Sequence, residues 1–315
     1  MTTAGEIAID ELSDADLPAV VDLCRLALDL PEDAAEATEI VTRLWEGGSR
    51  RRTVALAARR PAAGAGPASL VGVVLGSLGH EDAALGHVDL VAVHPRARRQ
   101  GVGRALFAAV ERRLAGRGAT EAVLVGNPPY YAWPGIDVRY TPAICAATAF
   151  GYEHHRTAWN MTADLSADSS PGLRDTAPAE ARLAEAGIRV RRATVGDRDA
   201  LVGFARTEFP GTWEGEIVDS LDRPGAGCHL ALRDGEVLGF AAYGASRPSW
   251  FGPIGTAAGA QGTGIGSVLM RRCLRDQRAA GHRTVQIGWV GPVPFYTATV
   301  GARIERVFFL FRKAL

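Results

Sequence analysis

The sequence predicts an α/β protein in which one domain, a mixed and mostly antiparallel sheet flanked by helices, occurs twice in tandem. The length of 315 residues suits two domains better than a single core. A small, polar stretch at 166–187 carries two prolines and is typical of a linker. A glycine-rich loop lies on each side of it, at 98–106 and at 260–269. Similar segments in the same order on both sides of a linker indicate duplication, so we expect domains at 1–165 and 188–315.

Each half follows the same predicted order: a short strand and a helix, a hairpin, and then a strand, the glycine-rich loop, a helix and a further strand. Asp234-Gly235 is typical of a tight hairpin turn. The strand–loop–helix–strand unit predicts a right-handed crossover between two parallel strands. The main strands are expected at Thr53–Ala58, Leu70–Ser77, His87–Val93 and Ala122–Val125, and then at 229–233, 236–244, Trp250–Thr256 and Thr284–Trp289.

The composition argues against several classes of partner. Lysine plus arginine and aspartate plus glutamate each number 35, so the chain lacks the basic excess that nucleic-acid binding usually leaves. No apolar run reaches membrane-spanning length, and the N-terminus does not follow the pattern of a signal peptide. The four cysteines are dispersed, which favours buried thiols in a reducing compartment over a metal cluster. We expect a cytoplasmic monomer or homodimer with no nucleic-acid, membrane or metal partner.

The glycine-rich loops are candidate anion sites. The pattern Arg/Gln-x-x-Gly-x-Gly occurs at 98–103 and 261–266, each time between a predicted strand and a predicted helix. At such a helix start the first backbone N–H groups lack partners, glycine lets a ligand approach, and the helix dipole favours a pyrophosphate. Neither loop has the Gly-Lys-Ser/Thr of a nucleotide P-loop or the third glycine of a dinucleotide fingerprint. For either loop alone, a plain tight turn is the alternative.

These loops resemble the acetyl-CoA loop of the GNAT superfamily of N-acetyltransferases, in particular its tandem members. The segments ATAFGYEHH at 147–155 and FYTATVGA at 295–302 are similar to a later helix-to-strand segment of that family. The resemblance covers nearly the whole chain outside the linker and implies acetyl-CoA as co-substrate. It implies that both loops hold the CoA pyrophosphate and that the strands before them run beside the pantetheine arm. The residues concerned are Val91, Val93, Arg98, Arg99, Gln100, Gly101, Val102, Gly103, Arg104, Ile254, Thr256, Gln261, Gly262, Thr263, Gly264, Ile265, Gly266 and Ser267.

The resemblance also implies a proton donor in the second half. Tyr296 stands shortly before Gly301, where the family has a tyrosine that protonates the leaving sulfur. A core tyrosine with its hydroxyl at the surface is the alternative. The strand Trp250–Thr256 has no carboxylate, so the general base of this half stays open. The candidates for that base are Glu208, Glu214 and His229.

The first half has the complementary features. His87 and Asp89 alternate along a strand and therefore share a face, where either can serve as a base. Hydrogen bonds at a strand edge are the alternative for both side chains. The helix before Gly151 has Ala147 where the tyrosine is expected, which weakens the case for sulfur protonation in this half.

An aromatic, proline-stiffened insert at 127–142 is a candidate acceptor pocket. A structural loop that contains an Asp–Arg pair is the alternative. By resemblance, the segment around Trp213 in the second half also borders the acceptor, with a plain helix-ending turn as the alternative. The expected acceptor contacts are Tyr130, Tyr131, Asp137, Arg139 and Trp213.

Together these features predict an acetyl-CoA-dependent N-acetyltransferase. It is expected to transfer an acetyl group to the primary amine of a small polar acceptor by direct attack of the amine on the thioester. Both loops are expected to bind CoA, and the second half is expected to carry catalysis through Tyr296. A non-catalytic regulatory module that binds acetyl-CoA is the first alternative, and an ATP- or NAD-binding enzyme is the second.

Overall fold

The computed structural model describes residues 7–46, 54–61, 68–80, 82–209, 211 and 213–315. The chain forms two compact units. The first unit comprises the chain as far as Ala158 together with Phe308–Leu315, and the second comprises Trp159–Val307. Each unit is a mixed sheet with flanking helices, as the sequence predicts.

In the first unit the strands follow the order β1-β2-β3-β4-β5-β13, and β6 also pairs with β13. All neighbours in this order are antiparallel except β4 and β5, which are parallel and joined through helix α4. The elements are β1 Ala8–Glu11, α1 Leu17–Ala27, α2 Pro31–Ala35, α3 Ala37–Glu46, β2 Val54–Arg60, β3 Ser69–Leu78, β4 Leu85–Val93, α4 Val102–Ala115, β5 Glu121–Leu124, β6 Ile136–Asp137, α5 Thr141–Ala149, the first part of β7 Glu153–Asp164 and the last part of β13 Arg303–Ala314. Thr53, predicted as the first residue of β2, lies outside the described residues.

The second unit repeats this topology in the order β8-β9-β10-β11-β12-β7. Its only parallel pair among these described strands is β11 and β12, which helix α9 connects. Between β9 and β10, Asp234 and Gly235 both have positive φ, 51° and 87°, as a tight two-residue hairpin turn requires. The elements are α6 Ala177–Glu185, β8 Arg189–Arg192, α7 Arg198–Glu208, α8 Trp213–Asp222, β9 Gly227–Arg233, β10 Glu236–Tyr243, β11 Trp250–Thr256, α9 Ile265–Ala279, β12 Thr284–Ile287 and α10 Val293–Val300.

In each unit, the strand that pairs with the second strand of the parallel pair comes from the other repeat. In the first unit, Phe311–Ala314 of the C-terminal strand β13 pairs with β5. In the second unit, Met161–Asp164 of strand β7, which follows the first repeat, pairs with β12. The first compact unit is therefore made of two separate segments of the chain, because each repeat contributes a strand that pairs in the other unit.

The stretch at 166–187 is an ordered part of the second unit. It contains helix α6, and the Glu180 carboxylate of that helix accepts two hydrogen bonds from Arg272 on α9, one of them 2.9 Å long from Nε. Leu183 of α6 is buried in the same core cluster as α9. The segment is thus packed against the second sheet, although its composition is typical of a linker.

The two crossover helices form as the periodicity predicts. In α4, the side chains of Val102, Leu106, Val110 and Leu114 are at most 1% exposed and pack on the first sheet. The corresponding face of α9 is made of Ile265, Val268, Leu269 and Cys273, also at most 1% exposed. Each of these apolar side chains stabilises its unit by about 1.5–3 kcal/mol relative to exposure, so both helix starts are held firmly against the sheets.

Three of the four cysteines are buried, as expected for dispersed thiols, but Cys145 on α5 is exposed. The exposure follows from the composition of α5, whose small side chains leave most of the helix on the surface. Burial raises the pKa of the Cys24 thiol to about 12. No helix in the described ranges has the length and apolar character that a membrane crossing requires.

Candidate functional site

In each unit the two parallel strands stop pairing before the first of them ends, and the unpaired edge beyond that point is called the cleft. In the first unit, β4 pairs with β5 only through Leu85–His87. The rest of β4, from Val88 to Val93, has no partner on that side among the described strands. In the second unit, only Trp250 and Phe251 of β11 pair with β12. The glycine-rich loop follows directly at the end of each diverging strand, so both clefts lead to a helix start.

A β-bulge marks the point of divergence in both units. In the first, Leu75 pairs with Leu90 and Gly76 with Val88, so Asp89 is the extra residue of β4. In the second, the pairing shifts between Ala241 and Tyr243. Gly252 and Pro253 together lie opposite Ala242 there, and they supply neither a carboxylate nor, at Pro253, a backbone N–H. The two bulges thus have the same position but different chemistry.

The first loop presents backbone donors to open space. The N–H groups of residues 99–104 have no acceptor among the described residues, and Gly101 is the N-cap residue of α4, just before its first turn. Gly101 has φ 84°, and a Cβ placed on it or on Gly103 would meet nothing within 4 Å. Free N–H groups at a helix start form an anion site. Arg99 and Arg104 add positive charge in this segment, and Arg104 lies over the Phe150 ring, 4.8 Å from its centroid.

Two of the predicted loop contacts serve the fold through their side chains. The Arg98 guanidinium donates to both carboxylate oxygens of Asp29, at 3.1 and 3.0 Å, and to the carbonyl oxygens of Ala27 and Val93. Gln100 accepts a 2.7 Å hydrogen bond from Arg60. Arg98 therefore ties the loop to α1 and β4. The half-buried Val91 and Val93 lie on the unpaired part of β4, beside the cleft.

The second loop differs in charge and in space. Residues 262–267 also have N–H groups without acceptors in the described part of the chain, and Gly262 and Gly264 have positive φ. No arginine or lysine occurs in 261–267. Phe295 of α10 approaches within 3.4 Å of the Cβ position of Gly266, and the half-buried Thr256 lies 3.6 Å from that position. The remaining predicted contacts of this loop are Ile254, Gln261, Thr263, Ile265 and Ser267, of which Thr263 donates to Ala260 O and Ser267 lies 3.4 Å from the Thr299 hydroxyl.

Asp89 is held by a chain of hydrogen bonds from two buried side chains. The Ser77 hydroxyl donates to Asp89 Oδ2 at 2.7 Å. Asn127 Nδ2 donates to Ser77 Oγ at 2.8 Å and to Leu78 O at 3.0 Å. His87 pairs directly opposite Ser77 in the ladder and therefore lies on the same face. Its Nδ1 lies 2.9 Å from Val125 O, and because a carbonyl only accepts, Nδ1 carries the proton.

Tyr296 lies on the buried face of α10. Its side chain is 6% exposed, and burial raises the pKa of its hydroxyl to about 12. The Phe295 ring packs against it with the centroids 5.1 Å apart. The hydroxyl has no hydrogen-bond partner within the described part of the chain. A hydroxyl in this environment stays protonated at neutral pH and can donate a proton.

The residues predicted to contact the acceptor are largely bonded to the protein. Arg139 makes a bidentate pair with the buried Asp137, at 2.9 and 3.1 Å, and a 2.7 Å ion pair with Glu32. The bond to Asp137 raises the pKa of Arg139. Arg43 lies over the Tyr130 ring, and Tyr131 is buried. In the second unit, Trp213 packs against Phe209 and Phe240 at the edge of a core cluster.

The three candidates for a base in the second half each bond to a residue other than Tyr296. His229 Nε2 and Asp276 Oδ2 are 2.9 Å apart, and Asp276 lies in the last turns of α9, far from the loop at its first turn. Glu214 forms an ion pair with Arg206. Glu208 accepts a 3.3 Å hydrogen bond from Ala258 N beside the loop. None of these bonds joins a carboxylate or an imidazole to the bulge of β11.

The comparison with protein families decides the class of protein. The model of the acetyltransferase (GNAT) family matches residues 26–132 and 197–293, once in each repeat and over more than half of the chain. The chain belongs to the GNAT family. Both matched segments include a diverging strand and the glycine-rich loop that follows it.

Solved structures share this GNAT fold over nearly the whole chain. The glucosamine N-acetyltransferase region of a fungal multi-domain β-N-acetylglucosaminidase is 17% identical with a TM-score of 0.74, over 99% of this chain and 38% of that one. A GCN5-related N-acetyltransferase from Sphaerobacter thermophilus is 20% identical with a TM-score of 0.66, over 98% and 95%. A tandem GNAT protein from the clavulanic acid biosynthesis pathway is 18% identical with a TM-score of 0.65, over 98% of both chains. The chain thus spans little more than a third of the fungal protein. No curated protein sequence matches it.

Sequence reasoning missed Ser77 and Asn127. Ser77 was included only in a predicted strand, and Asn127 only in the aromatic insert. Their contact depends on the bulge, because the shift in pairing at Asp89 determines which residue of β4 lies within reach of Ser77. An isolated serine in an otherwise apolar, glycine-rich strand was the signal that could have identified it.

Proposed function

We propose that this GNAT acetyltransferase uses acetyl-CoA to acetylate the primary amine of a small polar acceptor, by direct attack of the amine on the thioester. Membership of the GNAT family supports acetyl transfer in general, and the acceptor and the mechanism are our inference. The proposal rests on the first unit, where one bulge brings a carboxylate to the cleft that leads to an open, basic anion loop.

The residues of the first loop fit the phosphate end of CoA. Backbone N–H groups of 99–104 are without acceptors in the described structure, and Arg99 and Arg104 supply charge for a pyrophosphate. The unpaired edge of β4 beside Val91 and Val93 is suited to an extended arm that makes backbone hydrogen bonds. Bound acetyl-CoA supplies an activated acetyl group on sulfur.

Asp89 is the proposed general base. An ammonium must lose a proton before its nitrogen can attack, and a carboxylate at the point of divergence is suited to take that proton directly or through one water. As the nitrogen bonds to the acetyl carbon, the carbon–sulfur bond breaks and CoA leaves as the thiolate. The nitrogen releases its second proton to solvent, which protonates the thiolate, and Asp89 returns the first proton to solvent. General bases of this kind contribute about 10²–10⁴ in rate.

The second unit is the second candidate site, and its chemistry favours acetyl-CoA binding without base-assisted transfer. Gly252 and Pro253 occupy the bulge in place of a carboxylate, the loop carries no basic side chain, and Phe295 lies close to Gly266. Tyr296 could donate a proton there, as the sequence predicted. These differences move our proposed site of catalysis from the second half to the first.

Two conservative variants test the proposal. CoA release is measured for the full-length protein, Asp89→Asn and Tyr296→Phe across a panel of amines that begins with amino sugars, since one structural neighbour is described as a glucosamine N-acetyltransferase region. We expect Asp89→Asn to lower kcat about 100-fold or more, with acetyl-CoA affinity by calorimetry within about twofold. Tyr296→Phe should retain kcat within about twofold. The opposite pattern would place catalysis in the second unit, and no turnover with any amine would favour the regulatory module.

A further inference from the structure

Ser77 and Asn127 form a polar pair inside the first unit that the predicted chemistry does not use. Ser77 is 0% exposed and Asn127 is 3% exposed. Burying a polar group destabilises the folded state unless the group is hydrogen-bonded. An apolar pair of similar shape would fill the same space without this requirement. The pair lies where β3, β4 and the end of β5 meet, beside the bulge that carries Asp89.

The directions of these hydrogen bonds are fixed by chemistry. Leu78 O can only accept, so the Asn127 atom 3.0 Å away is the amide nitrogen. The same nitrogen donates its second hydrogen to Ser77 Oγ. Ser77 Oγ accepts the hydrogen bond from this amide. A carboxylate can only accept, so the Ser77 hydroxyl donates its own hydrogen to Asp89. The result is a directed relay from Asn127 through Ser77 to Asp89 Oδ2.

We propose that Asn127 and Ser77 are positioning residues for the general base Asp89. The inference rests on the proposed function of Asp89. The 2.7 Å bond from a fully buried hydroxyl fixes the rotation of the carboxylate at the bulge, where the backbone alone leaves that side chain several orientations. Asn127 in turn prevents the hydroxyl from rotating away. A base held in one orientation avoids the ordering cost at the moment of proton transfer.

His87 has a different role in the same group. It faces Ser77 from β4, but its Nδ1 donates to Val125 O and its ring is buried. That bond connects β4 to the residue after β5 and keeps the sheet paired up to the point of divergence. His87 is therefore a support of the cleft, and Asp89 is the group the relay serves.

The test compares four variants of the full-length protein. Ser77→Ala removes the hydroxyl, and Ser77→Cys replaces it with a slightly larger thiol that donates only weakly. Asn127→Ala removes the second donor, and Ser77→Ala/Asn127→Ala combines the two changes. Ser220→Ala is the matched control, because Ser220 is equally buried and hydrogen-bonded but lies on α8 of the second unit. Thermal unfolding and acetyl-CoA calorimetry identify any variant that has lost its fold.

We expect both Ser77 variants to lower kcat at pH 7 about tenfold, with KM for acetyl-CoA and its Kd within twofold, while Ser220→Ala is unchanged. Asn127→Ala should lower kcat less than Ser77→Ala, and the double variant should be no worse than Ser77→Ala, because the two act in series. At pH 10 much of an alkyl amine is already unprotonated, so the loss should shrink to about twofold. A merely structural role would not depend on pH in this way.

The outcomes separate the two proposals. If Asp89→Asn abolishes turnover but the Ser77 variants retain full kcat at pH 7, or lose equally at pH 7 and pH 10, the relay is wrong and Asp89 remains the base. If Asp89→Asn itself retains full turnover, the proposed function of Asp89 fails, and the relay fails with it.

Discussion

Replacing Gly101 by alanine tests the anion loop on which the proposal of acetyl-CoA binding depends. Gly101 is the residue before the first turn of α4 and has φ 84° and ψ −9°. A Cβ on it would meet no atom within 4 Å, so the substitution adds backbone strain without a steric clash. Its effect can therefore be calculated from the left-handed conformation alone.

The expected magnitude follows from two opposing terms. An L-residue in the left-handed region costs about 1–2 kcal/mol. Alanine also restricts the unfolded chain, which recovers about 0.4–1 kcal/mol of stability. The net loss of stability is about 1 kcal/mol, or a decrease of about 2–4 °C in Tm for a unit of this size. Any part of the strain that the free loop relieves by relaxing must be restored on binding, and about 1 kcal/mol restored in this way would raise Kd about fivefold.

Gly103 in the same helix and Gly118 after its end provide the controls. Gly118 lies just beyond the other end of α4, about 21 Å away along the helix axis, and has φ 101° with open space around it. Gly118→Ala should therefore lose similar stability without any change in binding. Gly103→Ala needs no positive φ but places a methyl group in front of the helix start, so it should weaken binding without loss of stability.

Calorimetry with CoA and thermal unfolding of the three variants provide the measurements. Gly264→Ala, at φ 92°, is the equivalent change in the second loop and shows how much binding that unit contributes. The reasoning would be refuted if Gly101→Ala and Gly118→Ala lost the same stability and both bound CoA as the wild type does. Backbone donors around Gly101 would then not hold the diphosphate.

The remaining predictions concern stability. The hydrogen bond from Arg272 holds the pKa of Glu180 below its usual value, so its stabilising effect is present above the unfolded pKa near 4.3 and is lost as the pH falls through the lower folded pKa. Glu180→Gln should destabilise the second unit by about 1 kcal/mol at pH 7, and this loss should become smaller as the pH falls through the folded pKa of Glu180; denaturant unfolding at pH 7 and over a series of acid pH values measures the difference. Phe311→Ala should destabilise the first unit by about 3–5 kcal/mol, because Phe311 is 2% exposed in the core beneath α4. Hydrogen exchange should then speed up in α4 and β5 while α9 stays protected, and equal acceleration in both helices would contradict the assignment of the C-terminal strand to the first sheet.

Local sequence patterns were sufficient to predict the elements, but they did not predict that β13 pairs with β5 and β7 with β12. The crossover helices, the hairpin at Asp234-Gly235 and strand β11 agree with the sequence prediction because periodicity and turn chemistry act within a few residues. Strands β7 and β13 are both 12 residues long and occupy equivalent places in the two repeats. Nothing in the local sequence of either strand specifies its partner, so the exchange is determined by long-range packing.

The sequence predicted the parts of the candidate site that are formed by the backbone better than the partners of its side chains. The loop pattern identified both helix starts, since glycine and free N–H groups are sequence-local features. Asp137 and Arg139 were expected to face an acceptor, yet opposite charges two residues apart bond to each other. The support of Asp89 depends on a bulge, and a one-residue shift in register has no signature in composition.

The strand exchange has a consequence for how the two repeats can be separated. Cleaving the chain within 166–187 would give an N-terminal fragment that carries β7, the partner of β12, and lacks β13, the partner of β5. Each fragment would then expose the unpaired backbone edge of β5 or β12. Such edges promote aggregation or reassociation of the two fragments. Neither repeat could be removed without taking away a strand that pairs in the sheet of the other.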